Sequence, residues 1–311
     1  MTLQTDLPVL VYDVGGSHVS AALCRQNPPG LGPVSRSGSP LEINAETFFQ
    51  TLYSLGVQAS DDLSQVAGAQ LAVPAPFDYE TGISRMTHKL PCLYGVDLRD
   101  ALATLFGWRP EQVRFMHDSA AFLLGELTAG AARGAERAVG ITLGTGIGSS
   151  FSVSGKVITN GFGIAPRGEI WNLSCGDGIV EDLLSARAIQ REYERRTGSN
   201  REVISIAASA RDDAAARDTF IGFGRALGKA LRTILSDFAP DVVALGGGIS
   251  HAAHLFLPAT KSELAGTAFR LEVSAMIDHA ALVGAAAAWF NGGRISDGPN
   301  PDSVSTSAHG A

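Results

Sequence analysis

Acids and glycines at three places in this 311-residue chain are spaced so that they could work on one anionic ligand. The first place is Val9 to Ala22, VLVYDVGGSHVSAA. An apolar, β-rich run carries one acid, Asp13. Two glycines (Gly15, Gly16), a hydroxyl (Ser17) and a second alternating run follow, an order that predicts strand, tight turn, strand. Glycines in such a turn let backbone N–H groups approach an anion, and Ser17 adds a donor. Asp13 would repel a phosphate directly, and makes sense there if a divalent cation lies between them. Taken alone, the stretch reads equally as an ordinary hairpin with a solvated acid. The second place is ITLGTGIGSSF, with Gly144, Thr145, Gly146 and Gly148. Its spacing departs from G-x-G-x-x-G and the residues after it are strand-like, so a dinucleotide-binding turn fails on context. A strand–turn–strand phosphate cradle fits better. The third is Gly246, Gly247 and Gly248, after the buried-type strand DVVAL and before a helix-like start. Three glycines there let a flat ligand lie against the backbone. Any one cluster is a tight turn; all three in this order are a stronger signal.

Three more acids stand apart from a charged, solvated face. Asp118 follows His117 at a strand end and opens a helix, where the dipole favours its carboxylate. It reads as a general base or as a helix cap. Glu169, in RGEIWNL, and Glu181, in DGIVEDLL, sit among glycines and apolar residues. They read as carboxylates that accept hydroxyls, or as surface acids.

Alternating elements must position these groups. Hydrophobic spacing predicts helices over residues 45–63, 98–106, 119–128, 182–196, 211–236 and 280–289. Strands are predicted over 66–73, 113–116, 138–143, 148–154 and 241–245. The class is α/β. The hairpin-plus-glycine units near residues 13 and 144 suggest an internal duplication. That predicts two similar lobes, with a ligand in the cleft where their turns converge. The expected division is 1–118, completed by a helix near 280–293, and 119–279.

Composition removes several function classes. Apolar residues make up 45% and charged residues 18%, with 24 basic against 31 acidic side chains, net −7. A nucleic-acid partner would need a basic face, so none is expected. Cys24, Cys92 and Cys175 are far apart, which argues for a reducing compartment and against a disulfide frame or a cysteine-rich zinc site. The N-terminus has no basic, apolar leader, and no apolar run reaches the ~18 residues of a membrane span. A cytoplasmic protein without a membrane partner is the expectation. Residues 296–311 are polar and expected to be disordered.

The order DVGGS, an acid opening a helix after a strand, GTGIG, GEI, GIVE and LGGG is similar to the ROK family of sugar kinases and sugar-responsive repressors. The resemblance runs from about Val9 to Trp289. It implies the two-lobed actin/hexokinase-like (ribonuclease H-like) ATPase fold, with duplicated βαβ lobes around a central cleft. The first motif begins within a dozen residues of Met1, leaving no room for the repressors' helix-turn-helix domain, so the resemblance implies a kinase. Carried over by position, Asp13, Gly15, Gly16 and Ser17 correspond to the first phosphate hairpin, with Asp13 near Mg²⁺. Gly144, Thr145, Gly146 and Gly148 correspond to the second, and Gly246, Gly247 and Gly248 to the adenosine turn. Asp118 corresponds to the catalytic acid; Glu169 and Glu181 correspond to sugar-binding acids. ATP and Mg²⁺ would be the cofactors, a hexose such as glucose or an N-acetylated hexosamine the acceptor, and a homodimer the assembly.

The chain departs from the family on the sugar side. His117 stands where the family has Asn before the catalytic acid, and could replace it as a donor; Asn172 stands where many members have a His ahead of the zinc loop, and could partly replace it as donor and acceptor. With only Cys175 nearby, no structural zinc is expected. His88 and Lys89 either reach the sugar or are simply exposed. Two alternatives remain open: polyphosphate as donor, and a sugar sensor without catalysis.

Overall fold

The computed structural model describes residues 7–16, 18–26, 30–38, 44–87, 89–176 and 178–291. The chain divides into two compact units. One comprises residues 1–133, 246–248 and 273–294, and the other 134–245, 249–272 and 295–311.

The first unit is built on a six-stranded sheet. β1 (Val9–Val14) and β2 (His18–Arg25) form the expected hairpin, closing at Val14 opposite Val19. β3 (Gly30–Leu31) and β4 (Ser35–Gly38) both pair with β2. α1 (Ala45–Ala59) starts at Asn44, whose side chain accepts from the Thr47 N–H. It stops short of the expected residue 63. Ser60 is extended, and Asp62 nucleates a separate turn by accepting from the Ser64 N–H. β5 (Ala69–Val73) then runs parallel to β1, beginning three residues later than expected because Gly68 holds a positive φ of 151°.

After the short ribbon of β6 (Phe77–Asp78) and β7 (Ile83–Ser84), α2 (Leu98–Phe106) matches its expected span and ends on left-handed Gly107. β8 (Val113–His117) runs parallel to β5, and α3 (Asp118–Ala129) follows without a gap. The order is β3-β2-β1-β5-β8. The core includes Leu10, Tyr12, Phe48, Leu52, Leu71 and Leu98, all essentially inaccessible.

The second unit repeats the scheme. β9 (Arg137–Leu143) and β10 (Ile147–Val153) form an antiparallel hairpin extended by β11 (Lys156–Ile158). A ribbon of β12 (Ser174–Cys175) and β13 (Gly178–Ile179) leads into α4 (Val180–Leu183) and α5 (Ala186–Thr197). The single helix expected over 182–196 is therefore broken, at Leu184 and extended Ser185. The helix expected over 211–236 is α7 (Ala214–Ile234), which starts three residues later because Asp213 caps it, and it is preceded by α6 (Val203–Ser209), a helix the spacing did not predict. β14 (Val242–Gly246), α8 (Ala253–Glu263) and β15 (Arg270–Val273) complete an order of β11-β10-β9-β14-β15. Each sheet thus reads third, second, first, then two later strands, which is the expected duplication seen in topology.

α9 (Ala280–Phe290) belongs to the first unit. Its alanines and Gly284 let it lie against α3 at backbone contact. A Cβ on Gly284 would stand 1.8 Å from the Ala121 carbonyl oxygen, and one on Gly125 would stand 1.9 Å from that of Ala280. This packing holds α3 in the first unit, so that unit extends to residue 133 rather than ending at 118. Beside it, buried Glu126 receives the Ser274 hydroxyl at 2.5 Å and the Ala131 N–H at 2.8 Å. The expected tail, 296–311, lies outside the described residues.

Candidate functional site

In the first unit the candidate residues gather at the carboxyl ends of the parallel strands β1, β5 and β8, where ligands of open α/β sheets bind. Asp13 is the penultimate residue of β1, paired with Ser20 on one side and Ala72 on the other. His117 ends β8 and Asp118 begins α3. Asp118 is the first helical residue rather than the cap. Its Oδ1 accepts from the Ser119 N–H at 2.7 Å and faces His117 Nε2 at 3.4 Å. The other nitrogen of that ring, Nδ1, lies 2.8 Å from Ser119 Oγ. Asp118 Oδ2 has no partner among the described residues.

Asp13 and Asp118 are close enough to share a field. Burial, and then the charge of Asp118, push the Asp13 carboxyl up to about 7, with Asp278 adding to the rise and Arg36 opposing it. Arg36 is a residue that sequence reasoning missed. Register explains its presence: Ser20 pairs with both Asp13 and Arg36, so the three share one row of the sheet. Arg36 also reaches Asp278 at 3.5 Å. His18, beside the glycine motif, stands 4.0 Å from Asp13, and its burial lowers its basicity. Gly15 and Gly16 form the hairpin turn, closed by Gly15 N–H to the His18 carbonyl at 2.9 Å. Ser17 and His88 lie outside the described residues; Lys89 is half-buried.

The third glycine cluster divides by role. A Cβ on Gly246 would meet the Phe122 ring at 2.3 Å, Gly247 is left-handed at φ 79°, and Gly248 has open space around it. Packing therefore explains Gly246. The turn at Gly247 and Gly248 keeps the freedom a ligand would need.

In the second unit Gly144, Thr145 and Gly146 form the turn of the β9–β10 hairpin, whereas Gly148 lies inside β10 opposite Thr142. The Gly144 carbonyl accepts from the N–H of Ala186, the first residue of α5. Glu181, on α4, packs onto this turn: a Cβ on Gly146 would lie 2.2 Å from its Oε2. Arg187 approaches Glu181 Oε1 at 3.7 Å, and both line a polar cavity of about 270 Å³.

Glu169 is held by a different device. Ser149 Oγ donates to the Gly168 carbonyl at 2.6 Å and accepts from the Ile170 N–H at 2.9 Å, bracketing the acid from buried β10. Its Oε2 takes both the Arg167 guanidinium at 3.1 Å and the Trp171 indole N–H at 3.0 Å. The Trp171 carbonyl in turn accepts from the Glu181 N–H at 2.9 Å, joining the two acids in one loop cluster. Arg167 and Trp171 were missed in the sequence, although both flank Glu169 in RGEIWNL. Asn172 is exposed beside them. Among the described residues, no group of three or more His, Cys, Asp or Glu side chains is arranged to hold a metal ion.

The sequence matches the ROK family over residues 9–291. The chain belongs to that family. The glucokinase of Thermotoga maritima is 29% identical over 90% of this chain and 96% of its own. The N-acetyl-D-glucosamine kinase of Haemophilus influenzae is 25% identical over 78% of this chain and 85% of its own. Among solved structures, a ROK family glucokinase from Streptomyces griseus, in complex with glucose and AMPPNP, superposes with a TM-score of 0.75. The two are 22% identical and cover 90% and 98% of the respective chains. The fold of this ROK protein is the actin/hexokinase-like one, as its family resemblance implied. No described helix is long and apolar enough to cross a membrane.

Proposed function

We propose that this ROK protein is an ATP- and Mg²⁺-dependent kinase that phosphorylates a hexose, glucose or a close relative such as an N-acetylated hexosamine. The observation that carries the reading is Asp118. It is fixed at a strand end and helix N-terminus, with Oδ1 occupied and Oδ2 left available. Phosphoryl transfer asks a protein for positioning and charge neutralisation rather than covalent chemistry. The acceptor hydroxyl gives its proton to Asp118 Oδ2 while its oxygen attacks the γ-phosphorus, and the bond to the leaving ADP breaks. Glu169 and Glu181 accept further sugar hydroxyls, with His117 and Asn172 as the added polar contacts. The turns at Gly15–Ser17 and Gly144–Gly146 hold phosphates, with Gly148 supporting the second, and Gly246–Gly248 faces the adenosine.

A hard divalent cation suits Asp13, because burial and the neighbouring Asp118 leave its anion poorly compensated. Bound there directly or through water, Mg²⁺ would neutralise phosphate charge. The glucokinase and N-acetylglucosamine kinase relatives support a sugar acceptor, and the glucose–AMPPNP structure supports a nucleoside triphosphate donor. The same reading takes the protein as a cytoplasmic homodimer, which light scattering tests in its assembly.

The deciding experiment is a coupled ADP-release screen across a hexose panel, run with ATP and with polyphosphate as donors. Turnover that needs ATP, Mg²⁺ and one hexose supports the proposal. Sugar binding by calorimetry without any ADP release would replace it with a sensor.

A further inference from the structure

The clamp on Glu169 has a consequence for how an acceptor is gripped. Glu169 is mostly buried, its side chain 15% exposed, and Oε2 already receives two donors, from Arg167 and Trp171. Two donors use that oxygen's accepting capacity. Oε1 has no partner among the described residues. A carboxylate in this state offers one oxygen, and cannot chelate neighbouring hydroxyls with one on each oxygen.

The loop is built to keep this arrangement. Arg167 is left-handed, at φ 59° and ψ 15°, and Gly168 follows it at φ 73°. A non-glycine residue in that region costs on the order of 1 kcal/mol. Here the bend carries a guanidinium back to the acid two residues on. The Ser149 bracket fixes the peptides on both sides of Glu169. Trp171 is tied at both ends, its indole N–H donating to Glu169 and its carbonyl accepting from the Glu181 N–H, yet the residue remains 37% exposed. A large apolar ring is thus immobilised in solvent beside the free oxygen of an acid. Sugar-sized ligands are held by that combination, an apolar surface with a few fixed polar atoms.

We propose that Trp171 is a specificity-determining residue of the acceptor site: its indole packs against the C–H face of a pyranose ring while Glu169 Oε1 accepts one hydroxyl. Arg167 is a positioning residue that acts through Glu169. The inference rests on the sugar-kinase reading and deepens it to a pyranose acceptor.

The test uses the full chain with W171F, W171L and R167A. W171F keeps a ring and loses the N–H; its acceptor KM rises a few-fold with kcat and the KM for ATP near those of the parent. W171L loses both and raises acceptor KM by more than tenfold. R167A raises it a few-fold, and R167K restores part of the loss. Intrinsic fluorescence gives a readout apart from activity. Of the three tryptophans, Trp108 stacks on Phe106 ahead of β8, and Trp289 lies under Arg114 and beside Gly68, at the amino ends of β8 and β5, opposite the ends that carry His117 and Asp118. The acceptor-dependent emission change in the parent should therefore disappear in W171F. Parent-like acceptor KM in W171L, or an emission change that persists in W171F, overturns the inference and leaves the kinase reading standing. If the parent turns over and binds no hexose of the panel, the kinase reading itself falls, and this inference with it. Should W171L fail to fold, W171F alone decides through its emission change.

Discussion

Gly146 and Glu181 are locked together: the acid's Oε2 occupies the space that any side chain at Gly146 would fill, 2.2 Å from the Cβ position. The obstructing atom is the end of a flexible side chain, so alanine there displaces the carboxylate without dismantling the hairpin. Gly146→Ala is expected to change stability by less than about 1 kcal/mol. It should raise acceptor KM roughly tenfold, as the loss of one charged hydrogen bond does. Thermal melts and steady-state kinetics on the same preparation check both halves.

Asp118→Asn preserves shape and removes the proton acceptor. The expected result is a fall in kcat of roughly 10²–10⁴-fold. ATP affinity by calorimetry should be nearly unchanged. Retained turnover would remove Asp118 from the proposed mechanism.

Asp13 makes stability depend on pH. Its carboxyl is raised from 3.8 to about 7, so between those values the folded chain holds a proton that the unfolded chain has lost. Stability therefore falls as pH climbs through that window. Asp13→Asn abolishes the effect: it should match the parent near pH 4 and exceed it at pH 8 by about 4 kcal/mol. Urea titrations at the two pH values measure the difference. An equal offset at both would assign the change to something other than ionisation.

Two glycine-to-alanine changes in helices should have opposite signs. Gly284 on α9 would place its Cβ 1.8 Å from the Ala121 carbonyl, so alanine forces the helices apart and costs about 1–3 kcal/mol. Gly222 on α7 is exposed with nothing within 4 Å of the added atom, so alanine there stabilises by about 0.4–1 kcal/mol. Denaturation midpoints of the two variants give the comparison.

Local chemistry made much of this legible from the residues. The glycine motifs announced both hairpins, the spacing of Leu98, Leu102 and Leu105 marked α2, and small residues marked α9 as a close-packing helix. What stayed hidden depends on distant partners. The break between α4 and α5 exists because Ala186 must donate to the Gly144 carbonyl, forty-two positions back, and no periodicity carries that information. Arg36 joins the acids through strand register across β2, set by a loop whose sequence specifies no register. Trp171 is a single aromatic in an irregular segment. Its meaning emerges only when its N–H is seen on Glu169.

The placement of α9 bears on the order in which the molecule can be made. The second unit is almost continuous in sequence, so it can complete its packing while the polypeptide is still being synthesised. The first unit cannot. Its early strands and α3 leave the ribosome far ahead of the helix whose alanines cover Ala121 and Gly125. Until residue 290 emerges, that apolar flank of the nascent chain is bare, and the earliest-made half of the protein is the last to be finished.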